Sequence, residues 1–175
     1  MKRTIFLGCC LLILGVIIAG CSSPAGTGQN DTSRQKPGIA GPADFSQVSY
    51  VDVFVIGKDW DSVPGNDGIV IYPDLKDANQ QSVLWEGTPL AADIEIWSTV
   101  PGGDFKETFG EQVYNGTANI TSWKDGKILM GGGIKVPFSS MNVTGKLATG
   151  MTFVTIHTTD GKVYTGYSGT TPLMP

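Results

Sequence analysis

The feature that most constrains the fold of this chain is the spacing of its apolar residues after about position 45. Short runs rich in Val, Ile, Thr and aromatic residues alternate there with clusters of Gly, Pro, Asn and Asp. No stretch places apolar residues at i, i+3, i+4 and i+7 over three turns, so the pattern is typical of strands rather than helices. We predict strands at 48–56, 68–73, 82–87, 92–99, 111–116, 118–124, 126–138, 143–148, 151–158 and 162–168.

Strands of this number in one domain of roughly 130 residues predict an all-β fold, an antiparallel β-sandwich. We place this domain at residues 46–175. Two Asp-Gly pairs, Asp125-Gly126 and Asp160-Gly161, lie between strand-like runs. Asp-Gly supplies the positive φ angles that a two-residue hairpin turn requires. Such a turn at the second pair would place His157 opposite Tyr164.

The first twenty residues have the composition of a signal peptide. Lys2 and Arg3 precede an unbroken apolar run, Thr4 to Gly20, which ends in small residues directly before Cys21. A basic start, an apolar stretch and small residues at the cut site are the marks of a secretory signal. The "IAGC" sequence at this boundary resembles the lipobox of prokaryotic lipoproteins. The resemblance implies cleavage after Gly20 and a lipid anchor on Cys21.

An uncleaved signal anchor is the alternative, because seventeen apolar residues lie at the lower limit for a membrane-spanning helix. Both interpretations place the domain on the extracytoplasmic face of the cell membrane. Residues 21–45 are rich in Pro, Gly and small polar residues, so we predict a flexible, disordered tether. A flexible coil of about 24 residues spans roughly 27 Å, which would hold the domain close to the membrane.

Cysteine usage and charge exclude several classes of function. Cys9, Cys10 and Cys21 are the only cysteines, so the folded domain has no thiol nucleophile, disulfide framework or cysteine metal site. Without Lys2 and Arg3, ten basic and sixteen acidic residues remain, a net charge of −6. Such a surface repels phosphate backbones, so we expect no nucleic-acid partner.

Residue types suited to catalysis are few. His157 is the only histidine, and one histidine supplies neither a general base beside a recognisable nucleophile nor a zinc ligand cluster. Asp93 and Glu95 alternate onto one strand face and could act as acid and base in a glycosidase. The solvent face of an amphipathic strand explains the same pair. We predict no catalytic residues and no enzymatic activity; a carboxylate-dependent hydrolase is the alternative.

The loop at 58–68, "KDWDSVPGNDG", is rich in oxygen ligands. The candidate ligands for a weak calcium site are Asp59, Asp61, Asp67 and Asp74. EF-hand spacing fails, because Val63 and Pro64 stand where an oxygen ligand and a glycine belong. Turn chemistry accounts for the same residues without an ion. We therefore predict a structural turn and no cofactor, with weak calcium binding as the alternative.

Four of the six asparagines begin N-x-S/T sequons. The candidate glycosylation sites are Asn30, Asn115, Asn119 and Asn142. This excess favours an N-glycosylated surface, and together with a lipobox it favours an archaeal surface protein. The alternative is that a Thr-rich β-sequence generates sequons by chance. Asn115 precedes a glycine, so we expect it in a surface turn.

Two of the four tryptophans, Trp60 and Trp97, are candidate ligand-binding residues. Aromatic rings on a flat sheet or loop are used by sugar-binding sandwich proteins. Large aromatic side chains also commonly shield sheet faces and edges, and this is the more frequent explanation. Trp85 is expected in the core. An exposed Trp60 and Trp97 flanking one groove would favour a binding function.

The stretch from Gly57 to Thr99 combines a "DxDxxPGNDG" turn, an apolar strand, "PDLKDANQQSV" and "PLAADIEIWST". It resembles extracytoplasmic prealbumin-like and immunoglobulin-like sandwich modules, which implies fold and location but no reaction. We expect a membrane-anchored lipoprotein that serves as a structural or adhesive surface module, with a cell-envelope protein or glycan as partner. The alternative is a ligand-binding lipoprotein for carbohydrate or calcium.

Overall fold

The structure is a computed structural model that describes residues 43–61, 63–101, 107–143 and 149–174. These residues form seven strands and three short 3-10 helices. The strands are β1 (Tyr50–Lys58), β2 (Gly68–Lys76), β3 (Glu86–Pro101), β4 (Glu107–Ser122), β5 (Ile134–Pro137), β6 (Thr149–His157) and β7 (Val163–Pro172), and the 3-10 helices are Trp123–Gly126, Ile128–Met130 and Phe138–Ser140. Within the described ranges, no helix is long and apolar enough to cross a membrane.

The strands form two antiparallel sheets that pack on each other. One sheet has the order β1-β2-β5, and the other has the order β4-β3-β6-β7. Buried side chains from both sheets form a single core, which includes Ile69 and Ile71 from β2 and Ile94 and Ile156 from β3 and β6. The predicted all-β, antiparallel sandwich is confirmed.

Alternation along β3 separates the core from the outer surface. Ile94 and Ile96 are completely buried, whereas Glu95 is exposed and Trp97 is half-buried. This is the period of two that a strand with one buried face requires. The predicted strand at 92–99 therefore lies within β3, and Asp93, Glu95 and Trp97 are placed on the outer face of the four-stranded sheet.

The strand β2 is buried on both of its faces, in contrast to β3. Its inner face contributes to the core, and the segment that contains the first two 3-10 helices covers its outer face. A Cβ atom on Gly126 would lie 2.5 Å from the Pro73 carbonyl oxygen, and one on Gly133 would lie 2.3 Å from a Val70 methyl group. The covering segment can lie this close to β2 because both positions are glycine.

The strands β1 and β7 lie side by side and close one side of the sandwich. A Cβ atom on Gly166 of β7 would lie 2.2 Å from the carbonyl oxygen of Val51 in β1. Further along the same pair of strands, Gly57 lies against the ring of Pro172. Among the described residues β4 pairs only with β3, so β4 is an open edge on the opposite side.

Several predicted strands have different bounds in the structure. The run at 111–116 and most of the run at 118–124 belong to one strand, β4, and a 3-10 helix begins at Trp123. Asn115 lies inside β4 rather than in a turn. The run at 82–87 reduces to an isolated bridge from Ser82 to Lys76 and the first residues of β3. Most of the run at 143–148 lies outside the described residues.

Neither Asp-Gly pair forms the predicted two-residue turn. The Asp125 carboxylate accepts hydrogen bonds from the backbone N–H groups of Thr121 and Ser122, so Asp125-Gly126 ends a 3-10 helix instead of making a hairpin. Most of the predicted strand at 126–138 is lost to the helical turns, and only β5 remains.

The hairpin between β6 and β7 has a three-residue loop. The N–H of Thr158 donates to the Lys162 carbonyl at 2.9 Å, and Gly161 adopts a φ of 81°. Three-residue hairpin loops typically end in a residue with left-handed backbone dihedrals, and Gly161 is that residue here. His157 consequently pairs with Val163, and the predicted pairing with Tyr164 is wrong by one residue.

Candidate functional site

Each strand of the four-stranded sheet contributes one aromatic side chain to the outer face of that sheet. These four residues, which we call the aromatic row, are Phe109, Trp97, Phe153 and Tyr167. The ring centroids are 6.5 Å apart between Trp97 and Phe109, 5.8 Å between Phe109 and Phe153, and 5.9 Å between Phe153 and Tyr167. The rings therefore form a continuous apolar surface across the sheet.

Strand pairing positions the members of the aromatic row. Glu95 pairs with Phe153, and Phe153 pairs with Tyr167. Directly paired residues of antiparallel strands lie on the same face, and Trp97 follows Glu95 on that face by simple alternation. The aromatic row therefore depends on the order in which β3, β6 and β7 lie in the sheet.

Phe109 reaches the aromatic row because β4 is irregular at this point. Trp97 pairs with Gln112 and Thr99 pairs with Phe109, so three steps along β4 match two steps along β3. A bulge of this kind redirects side chains relative to the regular alternation. The Phe109 ring is consequently 58% exposed and leans over the sheet toward Phe153.

The side chains of Glu95, Trp97, Phe109 and Phe153 line an open groove of about 320 Å³, which we call the aromatic groove. Its surface is mostly carbon, and Glu95 is the charged residue among the four. The indole N–H of Trp97 donates to a Glu95 carboxylate oxygen at 3.1 Å. This bond satisfies the indole nitrogen and holds the ring in place against the groove.

A polar band runs beside the aromatic row on the same face. Asp93 pairs with Thr155, and Thr155 pairs with Thr165. His157 Nε2 lies 2.7 Å from Asp93 Oδ2, and both side chains are about half exposed. An apolar surface with a polar border is typical of binding sites on otherwise soluble domains.

The carboxylates of Asp93 and Glu95 do not face each other across a cleft. Each one is hydrogen-bonded to a neighbouring side chain, His157 and Trp97 respectively, on an open sheet surface. Glycosidase chemistry needs two carboxyl groups on either side of a bound sugar bond. The described residues do not place this pair in that arrangement.

The loop that precedes β2 brings Asp59, Asp61 and Asp67 together, with side-chain oxygens within 4.8 Å of one another. The Asp67 carboxylate accepts hydrogen bonds from the N–H groups of Trp60 at 2.6 Å and Asp61 at 3.0 Å. Asp59 accepts from Asp61 at 3.1 Å, and Asp61 accepts from Val63 at 2.6 Å. The bonds of Asp59 and Asp61 are those of successive Asx turns, and Asp67 closes the loop by accepting from backbone donors six and seven residues earlier.

Asp74 does not join this acidic cluster. It is 6% exposed, and its Oδ2 atom accepts from Lys76 at 2.7 Å, from Ser82 at 2.9 Å and from Lys127. The hydrogen bond to Asp74 raises the pKa of Lys76. Asp74 therefore serves a buried ion-pair network that ties β2 to the segment covering its outer face.

The two tryptophans predicted as ligand-binding residues lie apart, Trp60 in the loop between β1 and β2 and Trp97 on β3. Trp60 packs against Gly68 of β2, and the Lys135 ammonium group lies 5.4 Å from its ring centroid. Trp97 belongs to the aromatic groove on the four-stranded sheet, so the pair does not flank one groove. Trp85 is buried in the core, as predicted.

Three sequon asparagines lie in or beside β4, an edge strand of the four-stranded sheet. Asn115 and Asn119 are exposed, and alternation places both on the outer face. Asn142 is also exposed, and its backbone N–H donates to the carbonyl of Val113 in β4 at 2.7 Å. Asn30 and the expected lipidation residue, Cys21, lie outside the described residues.

A second apolar surface lies on the three-stranded sheet. The helical turn Ile128–Met130 exposes all of its side chains, and Leu129 is 96% exposed. Together with Phe54 and Trp123 the turn borders a groove of about 360 Å³ whose charged residues include Asp74 and Lys127. The ion pair between these two charged groups leaves the exposed apolar turn as the distinctive feature of this surface.

No protein-family model matches this chain, and neither does any curated protein or solved structure. The resemblance to extracytoplasmic sandwich modules is supported at the level of the two packed antiparallel sheets.

Sequence reasoning found Trp97 but missed Phe109, Phe153 and Tyr167. Alternation along β6 did contain a signal, because Phe153 stands between the buried residues Thr152 and Val154. The missing information was the strand order, which brings rings from four separate strands onto one surface.

Proposed function

We propose that this protein is a membrane-anchored, extracytoplasmic adhesive module that binds carbohydrate on its four-stranded sheet and catalyses no reaction. The observation that carries the proposal is the aromatic row, which places one exposed or half-buried ring on each strand of that sheet. Anchorage through a lipid on Cys21 is proposed from the "IAGC" boundary.

The chemistry of the aromatic groove suits a sugar. A pyranose ring has an apolar C–H face that packs on aromatic rings, and its hydroxyl groups donate to carboxylates. The groove offers both partners, since Trp97 and Phe153 supply aromatic surface and Glu95 supplies an acceptor. Four strands spaced about 4.8 Å apart give a surface roughly 14 Å wide, which suits several linked sugars rather than one.

A non-enzymatic role is supported by the engagement of the acidic residues. Asp93 is bonded to His157, and Glu95 is bonded to Trp97, on an open surface. Neither carboxylate has the buried, apolar surroundings that are typical of a catalytic general acid. We therefore assign Glu95 a positioning and binding role.

The test is a titration of the purified membrane form, in detergent, with chitotetraose, cellotetraose and mannotetraose, followed by intrinsic tryptophan fluorescence and calorimetry. We expect at least one of these to bind, and we expect Phe109→Ala to weaken it about tenfold, equivalent to roughly 1.4 kcal/mol. The matched control is Phe54→Ala, because Phe54 is similarly exposed on the other sheet. Binding of none of the sugars, or equal weakening by both variants, would overturn the proposal.

Membrane anchorage has its own test. Cys21→Ser should release the protein from the membrane fraction, because the sequence of the tether offers no second membrane signal. An intact segment from Met1 to Gly20 in the mass spectrum of the membrane form would contradict cleavage and favour the signal-anchor alternative.

A structural role with a protein partner is the second candidate function. It is favoured by the turn Ile128–Met130, whose three apolar side chains are all exposed, because large exposed apolar patches mark protein interaction sites. Cross-linking in intact cells, followed by comparison of Leu129→Asp with wild type, tests it. Loss of a specific cross-linked envelope protein in the variant would support this role, and an unchanged cross-linking pattern would contradict it.

A further inference from the structure

We propose that an N-linked glycan on Asn115 folds back onto the aromatic groove and controls access to it. This inference rests on the proposed function, because it takes the groove to be a carbohydrate site. It concerns how that site is regulated: the sugar that occupies the groove in the glycoprotein is supplied by the same chain.

The position of Asn115 relative to the groove is the first support. Asn115 pairs directly with Glu95 across β4 and β3, and both side chains are exposed on the outer face. The Cβ atoms of directly paired antiparallel residues lie about 4.5–5.5 Å apart. Glu95 itself lines the groove and holds the Trp97 ring. The first sugar on Asn115 would therefore begin one strand spacing from the groove.

The surroundings of the sequon leave room for a glycan. Asn115 and Thr117 are both exposed, so the two residues that define the sequon lie on the outer face. In the part of the chain that the structure describes, no strand pairs with the other side of β4. A glycan can therefore extend either outward from the edge or back across β3.

The aromatic groove favours a glycan that extends back across β3. A sugar that turns back meets the carbon surface of Trp97 and Phe109 and the carboxylate of Glu95, which are the same contacts proposed for a free ligand. A short covalent link gives an effective concentration in the millimolar range. At about ten times its own dissociation constant, the tethered sugar would weaken a free competitor about tenfold.

Asn119 provides a matched control on the same strand. It is an exposed sequon asparagine on the same face as Asn115, but it pairs with Ala91 and lies about 13 Å further along β4. Its neighbours belong to the end of the sheet that carries His157, away from the aromatic row. A glycan there would begin beyond the polar band rather than beside the groove.

The experiment compares wild type, Asn115→Gln and Asn119→Gln, all purified as glycoproteins from the native host, after glycopeptide mass spectrometry of each. Acrylamide quenching of tryptophan fluorescence measures the exposure of Trp97 without any added ligand. We expect acrylamide to quench the fluorescence of Asn115→Gln more strongly than that of wild type. We expect Asn119→Gln to be quenched to the same extent as wild type. The difference should disappear when each form also carries Trp97→Phe. Circular dichroism checks that the variants are folded.

The same three proteins are then titrated with chitotetraose, cellotetraose and mannotetraose. We expect about tenfold tighter binding in Asn115→Gln than in wild type. A bare Asn115 in the native protein, or equal quenching in the two asparagine variants, overturns the inference. If Asn115→Gln and wild type bind an oligosaccharide equally, the inference fails and the proposed function stands. If no form binds any of the three sugars, the proposed function fails, and the inference fails with it.

Discussion

Glu95 accepts a hydrogen bond from the indole N–H of Trp97, two residues further along the same face of β3, at 3.1 Å. The bond couples the charged residue of the aromatic groove to one of its rings. It lies on an open surface, so its contribution to folding is small, and its importance is for the orientation of the ring.

Glu95→Ala should therefore weaken oligosaccharide binding about tenfold while changing the free energy of unfolding by less than about 0.5 kcal/mol. The variant loses both a ligand acceptor and the partner of the Trp97 N–H. Fluorescence titration and urea unfolding measure the two effects. Asp93→Ala removes a neighbouring carboxylate of the polar band and serves as the control. Equal weakening by both variants would contradict the assigned role.

The ion pairs of this protein should differ in strength according to burial. Lys127 pairs with the nearly buried Asp74, and Lys127→Ala should lower the free energy of unfolding by roughly 1–3 kcal/mol. Lys124 pairs with Glu86 at 2.8 Å, but both side chains are well exposed, so Lys124→Ala should cost less than about 1 kcal/mol. Urea unfolding of the two variants measures both losses. A larger loss of stability in Lys124→Ala than in Lys127→Ala would contradict the prediction.

The contact between β1 and β7 predicts an asymmetry between two glycines of the same strand. Gly166→Ala would place a methyl group 2.2 Å from the Val51 carbonyl oxygen, so we expect a loss of about 1–3 kcal/mol or more from overpacking. Gly169→Ala meets no atom within 4 Å and should leave stability unchanged within about 0.5 kcal/mol. Thermal unfolding of the two variants provides the comparison, and similar melting temperatures would count against a close β1–β7 contact.

The hairpin between β6 and β7 should titrate in acid. The hydroxyl of Thr158 donates to the Asp160 carboxylate at 2.5 Å and holds the pKa of Asp160 below its ordinary value of 3.8. A lowered folded-state pKa means that the stabilisation is present above pH 3.8 and is lost as the pH falls through the folded pKa. An NMR titration should show this pKa rising toward 3.8 in Thr158→Val. An unchanged value in that variant would exclude the hydrogen bond as the cause.

The acidic loop should respond weakly to calcium. Asp67 and Asp61 already accept backbone hydrogen bonds, so an ion would have to compete with the turn. We expect millimolar calcium, compared with chelator, to shift the melting temperature by less than a degree. Saturation at about a hundred times the dissociation constant would instead add about 2.7 kcal/mol. A shift of several degrees that Asp59→Asn with Asp61→Asn abolishes would establish a calcium site.

The sequence predicts strands well where apolar and polar residues alternate regularly. It predicts turns poorly where an aspartate side chain accepts hydrogen bonds that change the turn type. The run at 92–99 is predicted because Ile94 and Ile96 alternate with Asp93 and Glu95, and the structure buries both isoleucines completely. The same dipeptide, Asp-Gly, forms a helical turn at Asp125 and a three-residue loop at Asp160. In each case the aspartate side chain accepts a hydrogen bond from a residue outside the dipeptide.

The candidate site was only partly predictable for a related reason. Trp97 could be found from its own strand, but its convergence with Phe153 and Tyr167 depends on long-range strand pairing. Phe109 additionally depends on the bulge in β4. The pattern of residues within one strand does not specify the order of the strands in a sheet. The aromatic row therefore could not be predicted without the strand pairing.

The glycine contact between β1 and β7 also determines how copies of this protein could associate. On one flank of the sandwich the backbone of Gly166 in β7 packs directly against that of Val51 in β1. Another strand could be added on this flank only if β1 and β7 separated. In the part of the chain that the structure describes, no strand pairs with the outer edge of β4, and such an edge can template pairing with another chain. Pairing of β4 with β4 would join two molecules about a two-fold axis and use up that flank in both. Self-association by this route would end at a dimer and could not grow into a filament.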